Sequence, residues 1–168
     1  MGLGLVALNG QLPFAVLCDD NANGLIYPDN VPTYQVFSPS WTVLLNGTMQ
    51  LTYGTVTGAT AASPVVVTSL AHKLQSGAFV KTDVIGGVSG ANGEFQITKI
   101  DDDRFSLNGS TGTGSYTSGG IWAPLGFFRQ TLNVTEANGF VAGQIYHILI
   151  NWSKGAIKRG ILQSFQVA

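Results

Sequence analysis

The stretch Trp41-Thr42-Val43-Leu44-Leu45-Asn46-Gly47-Thr48-Met49-Gln50-Leu51-Thr52-Tyr53 reads as two short apolar runs around an Asn-Gly pair. Asn-Gly supplies the positive φ angles that a type I′ turn demands, so the segment predicts a β-hairpin with strands over 41–45 and 48–53. The same grammar extends to either side. Apolar residues alternate with small polar ones, and Gly or Asn-Gly interrupts them roughly every 8–12 residues, which is the pattern of an all-β chain. No segment carries the periodicity of a long amphipathic helix.

Strands are also predicted over 13–17, 33–37, 64–70, 79–85, 94–100, 104–107, 121–122, 127–134, 144–152 and 157–167. Asp101-Asp102-Asp103 turns a second hairpin. Thr135-Glu136-Ala137-Asn138-Gly139 can form one helical turn, with Thr135 as N-cap and Gly139 past its end. Residues 1–12 carry Gly2, Gly4 and Gly10 and read as an N-terminal arm. From Gly54 the composition shifts to Gly, Thr, Ala and Ser, and the alternating pattern of residues 13–53 resumes after Pro124. Strands that stop near Tyr53 and resume near Leu125 would leave open sheet edges if the chain were a simple tandem. An insertion at a hairpin tip avoids this, because long surface insertions cost little. The expected organisation is an arm over 1–12, a β-sandwich in two parts over 13–55 and 124–168, and an inserted β-module over 56–123.

Of 168 residues, 45% are hydrophobic and only 10% are charged, against a usual charged share of about 25%. A core can form, and the low charge predicts a surface prone to association. The net charge is −1 with no basic block, which argues against nucleic acid as a partner. The charge is uneven: residues 1–53 hold Asp19, Asp20 and Asp29 without a Lys or Arg, whereas 129–168 hold Arg129, Lys154, Lys158 and Arg159 against Glu136. This fits either two halves of one domain facing each other or head-to-tail contact between subunits. Cys18 is the only cysteine, which excludes an intrachain disulfide and a cysteine-based zinc site. The apolar start lacks Lys or Arg and does not read as a signal peptide, and no apolar run approaches a membrane span.

Two sets of segments resemble known β-domains. Pro32-Thr33-Tyr34-Gln35-Val36-Phe37, Leu44-Leu45-Asn46-Gly47-Thr48-Met49, Gly126-Phe127-Phe128-Arg129, Asn138-Gly139-Phe140-Val141-Ala142-Gly143-Gln144-Ile145-Tyr146 and Ser164-Phe165-Gln166-Val167 resemble the Ig-like β-sandwich domains of phage structural proteins. His72-Lys73-Leu74-Gln75-Ser76-Gly77, Gly86-Gly87-Val88-Ser89-Gly90, Asn92-Gly93-Glu94-Phe95-Gln96-Ile97, Arg104-Phe105-Ser106-Leu107 and Tyr116-Thr117-Ser118-Gly119-Gly120 form the second set. They are similar to the small, barrel-like β-domain named for the first catalytic-cysteine half-domain of ubiquitin-activating enzymes, a module that recurs in phage virion proteins. Ala78 departs from it, standing where the pattern usually has an acidic residue. The resemblance implies no ubiquitin chemistry.

Residues able to carry catalysis are few. His147 alternates with Tyr146 and Ile148 and reads as a satisfied strand residue, and His72 as a residue bonding local backbone. A nucleophile–base pair would need Cys18 or a serine beside one of these histidines, plus an orienting group. No nucleophile elbow or phosphate loop occurs. Asp101-Asp102-Asp103 and Asp19, Asp20, Asn21 and Asn23 lack calcium-loop spacing and read as solvated turns. Trp41, Trp122, Trp152, Tyr27, Tyr34 and Tyr116 fit core or interface better than a sugar-stacking face.

The resemblance implies a non-enzymatic structural protein of a tailed-phage virion, without catalytic, cofactor or metal site. A capsid decoration or head-auxiliary protein is expected. Its partners would be the major capsid protein or other virion proteins and neighbouring copies of itself, with neither nucleic acid nor membrane. The alternatives are a tail or baseplate component and a glycan-binding module. The arm, through Leu3, Leu5, Val6, Leu8 and Leu12, is expected to be the interface, by strand addition to a neighbour's sheet. Completion of its own sandwich is the other course open to it.

Overall fold

The computed structural model describes residues 2–19 and 24–168, with Leu3 as backbone only. Its first strands are β1 (Gly2–Val6), β2 (Gly10–Leu17), β3 (Thr33–Phe37), β4 (Val43–Thr48) and β5 (Gln50–Leu51). Next come β6 (Gly54–Thr55), β7 (Gly58–Ala59), β8 (Val65–Thr68), β9 (Phe79–Asp83), β10 (Val88–Ser89), β11 (Gly93–Lys99), β12 (Arg104–Leu107), β13 (Thr113–Gly114) and β14 (Ile121–Pro124). The last are β15 (Phe127–Val134), β16 (Ile145–Lys154) and β17 (Ile157–Val167). A 3₁₀ turn at Glu136–Asn138 follows β15, capped by the Thr135 side chain and by left-handed Gly139. Among the described residues no helix is long and apolar enough to cross a membrane.

The chain divides into two units. One comprises residues up to Leu51 together with Gly126–Ala168, and the other is Thr52–Leu125. The first is a β-sandwich. Its larger sheet has the order β1-β17-β16-β3-β4 and its smaller sheet the order β2-β15-β5. Strict alternation builds the space between them, since successive strand residues point to opposite faces. Tyr146, Ile148, Ile150 and Trp152 of β16 face inward and meet Leu12, Phe14 and Val16 of β2 and Phe128, Leu132 and Val134 of β15 in one buried cluster. Asp29 pairs with Lys154 at 3.3 Å, so the acidic first half and basic last half of the chain do meet within this unit.

The predicted hairpin at Asn46-Gly47 does not form. Both residues lie inside β4, opposite Gln35 and Tyr34 of β3. The reversal lies closer to the N-terminus, between Phe37 and Val43, where Ser38 donates its N–H to Thr42 O (2.8 Å) and Trp41 to Ser38 O (2.9 Å). The reason is tertiary. Phe14 of the smaller sheet packs edge-on against Tyr34, with centroids 5.3 Å apart. The Tyr34 ring lies over Gly47, where a Cβ would sit 2.9 Å from it. Gly47 is therefore a seat for an aromatic ring within a strand.

The second unit has an open seven-stranded sheet of order β6-β14-β9-β11-β12-β8-β7 and a separate β10-β13 ribbon. Its own core contains Val65, Val67, Val80, Ile97, Phe105, Leu107 and Trp122. β11 and β12 form the predicted hairpin around Asp101-Asp102-Asp103. Glycines here permit close approach. The Trp122 ring occupies the space a Cβ at Gly54 would need, and Gly87 and Gly114 lie directly against facing backbone.

Candidate functional site

The edges of the sandwich sheets are treated differently. β15 pairs with β2 along its length but with β5 only at Phe128 and Arg129. Beyond that, side-chain amides close the edge. Gln130 donates from Nε2 to Thr48 O (3.0 Å) and accepts the Thr131 N–H (2.9 Å), while Asn138 Nδ2 donates to Asn133 O (3.0 Å). Such capping blunts an edge that would otherwise template pairing with another chain.

β1 is the contrasting edge. It runs parallel to β17, with one slip between Gly2 and Gly4, where Gly4 has φ +91°. Among the described residues no strand pairs with its outer side. It contains neither charge nor proline, two of the usual protections. Val6 opposes Val167 and both are buried; one residue before it, Leu5 opposes Gln166, which opposes Ile145. That row faces outward, leaving Leu5 69% and Ile145 51% exposed beside a shallow groove of about 310 Å³.

The arm residues thus separate. Val6 and Leu12 are core residues of this chain, Leu8 packs partly against the same core, and Leu5 is exposed. The Leu3 side chain lies outside the description. The arm forms β1 and the beginning of β2, so it completes its own sandwich, and Val6 and Leu12 cannot line a surface. What faces out is the backbone edge together with Leu5.

The titratable residues are tied into the fold. His72 is buried, with Nδ1 accepting the Leu74 N–H (3.0 Å) and Nε2 lying 3.0 Å from Asp101 O and 3.3 Å from Arg104 O. These partners assign it the Nε2–H tautomer. Asp101 takes two bonds from Arg104, Asp102 pairs with Lys99 at 2.7 Å, and Asp103 accepts the Ala71 N–H. Arg104 and Lys99 hold the first two carboxyls below the usual range. The triplet is a braced turn, and among the described residues no cluster has the make-up of a metal site. Asp20, Asn21 and Asn23 lie outside the described residues. Cys18 is fully buried; burial, then the neighbouring Asp19, pushes its thiol up to about 12.

The aromatics separate by burial. Trp122 and Trp152 are buried, Tyr34 packs on Phe14, and Tyr116 donates its hydroxyl to Val56 O and Gly119 O. Tyr27 is half-buried and tilted on Phe128. Trp41 alone of the tryptophans is exposed, and its ring stacks on that of His147. Sequence reasoning weighed Trp41 in a sugar-stacking face and His147 as a strand residue but did not bring them together, because the two are distant in the chain and meet only across the β3–β4 reversal.

No family model matches the chain, and no curated protein does. Among solved structures, phage phi92 endosialidase aligns with 100% of this chain at 10% identity and a TM-score of 0.34. The aligned part is 28% of that protein, so the chain spans little more than a quarter of its length. ACE19, the collagen-binding subdomain of the Enterococcus faecalis surface protein ACE, aligns over 98% of this chain and 91% of its own, at 15% identity and a TM-score of 0.24. Neither likeness carries a functional conclusion here.

Proposed function

We propose that the chain is a non-enzymatic structural protein of a tailed-phage virion, a capsid decoration protein that docks on the assembled shell by accepting a strand from a neighbouring virion protein at its β1 edge. The observation supporting this is the bare edge itself. The same sandwich caps β15 with Gln130 and Asn138, but among the described residues β1 is uncapped, uncharged and flanked by exposed Leu5 and Ile145. Strand addition supplies affinity through main-chain bonds, and the flanking apolar groove supplies selectivity. Binding only to the assembled shell would stabilise that shell by mass action. The Ig-like and half-domain resemblances support reading both units as modules of the kind used in virions.

The test is the amount of the chain in purified particles, measured for the wild type and for Leu5→Lys. The substitution places a charge on the edge without touching the core. Hundreds of copies per particle, lost in a Leu5→Lys protein that remains folded, support the reading. A few to dozens of copies would assign the chain to the tail or baseplate instead. Full occupancy by Leu5→Lys removes the β1 edge from the contact.

A further inference from the structure

The β3–β4 reversal holds a side-chain cluster apart from the β1 edge. Trp41 has φ +62°, a left-handed backbone that a bulky residue rarely adopts. Two main-chain bonds, Ser38 N–H to Thr42 O and Trp41 N–H to Ser38 O, enforce it. The Ser38 hydroxyl adds a third by accepting the Thr42 N–H at 3.1 Å. The indole lies flat on the His147 imidazole, with centroids 4.5 Å apart and planes 4° from parallel, and Phe37 tilts against it at 5.8 Å. His147 is itself held, since its Nδ1 lies 2.8 Å from Ser164 Oγ. Despite this bracing, Trp41 stays 57% exposed. Strain kept in place by surrounding bonds, at a residue that fills no core, points to a use in recognition.

The surroundings narrow the ligand. Ser38, Ser40 and Thr42 line the turn as a chain of hydroxyls, 2.9 Å and 3.5 Å apart. Phe37, Ser38, Ser40, Trp41, Thr42, His147 and Ser164 offer no carboxylate, lysine or arginine as a fixed counter-ion, and a purely apolar ligand would cover the hydroxyls without replacing their bonds to water. A ligand with one apolar face and a rim of neutral hydroxyls satisfies both surfaces. We propose that Trp41, backed by His147, is a stacking platform for a neutral hexopyranose, with the Ser38–Ser40–Thr42 hydroxyls bonding the rim of the sugar. The site belongs to the sandwich unit alone and does not depend on strand addition at β1.

The test is titration of the full chain with methyl glucoside, methyl galactoside and methyl mannoside, following the three indole N–H resonances by NMR. The expected result is a saturable shift of the Trp41 resonance with at least one sugar, while the buried Trp122 and Trp152 resonances stay still. Trp41→Ala should weaken binding at least about tenfold, the scale of one lost aromatic contact, and Trp41→Phe should retain part of it. His147→Ala should weaken it less than Trp41→Ala. No saturable shift with any of the three sugars, or equal binding by Trp41→Ala, overturns the proposal. So does a Trp41 response confined to added virion protein, which would make the platform part of a protein contact.

Discussion

Excising residues 52–125 and joining Leu51 to Gly126 through Asn-Gly is expected to leave the sandwich folded. The core of the first unit contains no residue from the second, so excision opens no cavity in it. Leu51 pairs directly with Phe128, which leaves a four-residue hairpin loop, a common length, with Gly126 retained. Gly126 is needed there because its φ is +70° and its carbonyl accepts the Cys18 N–H at 2.8 Å. The magnitude depends on whether the excised unit is folded. Were it a flexible loop, shortening the connection about twentyfold would stabilise the sandwich by about 2.6 kcal/mol through loop-closure entropy. It is instead tied near its ends by β6 pairing with β14, Thr55 opposite Ile121 and Gly54 opposite Trp122. Little closure entropy then remains to be gained, and stability should change by less than ~1 kcal/mol. Near-UV circular dichroism and urea unfolding of the excised protein check this. Far-UV signal retained with near-UV signal lost would refute the independence of the two cores. A gain near the full loop-closure value would refute the tied ends.

Gly54→Ala should destabilise the second unit by about 1–3 kcal/mol, because the added methyl overlaps the Trp122 ring, which is fixed by its N–H bond to Ser69 Oγ. Gly58→Ala, whose methyl would meet only Thr68 at 3.4 Å, should change urea unfolding by less than ~0.5 kcal/mol. Trp41→Gly should leave stability within about 1 kcal/mol of wild type in thermal melts, since relief of left-handed strain (~1–2 kcal/mol) offsets the lost stack (~0.5–1.5 kcal/mol). The native Cys18 thiol, raised to about 12, should resist Ellman's reagent at pH 8 and react fully in denaturant. Because an unfolded thiol ionises near ~8.5, the same group should erode stability as pH climbs from about 9 toward 12. Asp101→Asn should lower stability at neutral pH, and the difference from wild type should vanish as acid protonates the native carboxyl below its depressed pKa; chemical denaturation at both pH values checks it.

The all-β class is legible in the chain alone, because period-two alternation and glycine punctuation are local. β3, β12, β15 and β17 run over the residues that the pattern marks. The Thr135–Gly139 turn and the Asp101–Asp103 hairpin were equally legible, since their chemistry acts between residues close in the chain. The remaining features depend on contacts between segments distant in the chain. Asn46-Gly47, a turn by local preference, was drawn into β4 because Phe14 presses Tyr34 onto Gly47. The arm's destination, a neighbour's sheet or its own sandwich, stayed open in the sequence. Its place beside β17 comes from parallel main-chain bonds to residues at the other end of the chain, which no local pattern encodes. The Trp41 platform was hidden for the same reason: a side chain's exposure, and the ring it stacks on, exist only once strands distant in sequence lie side by side.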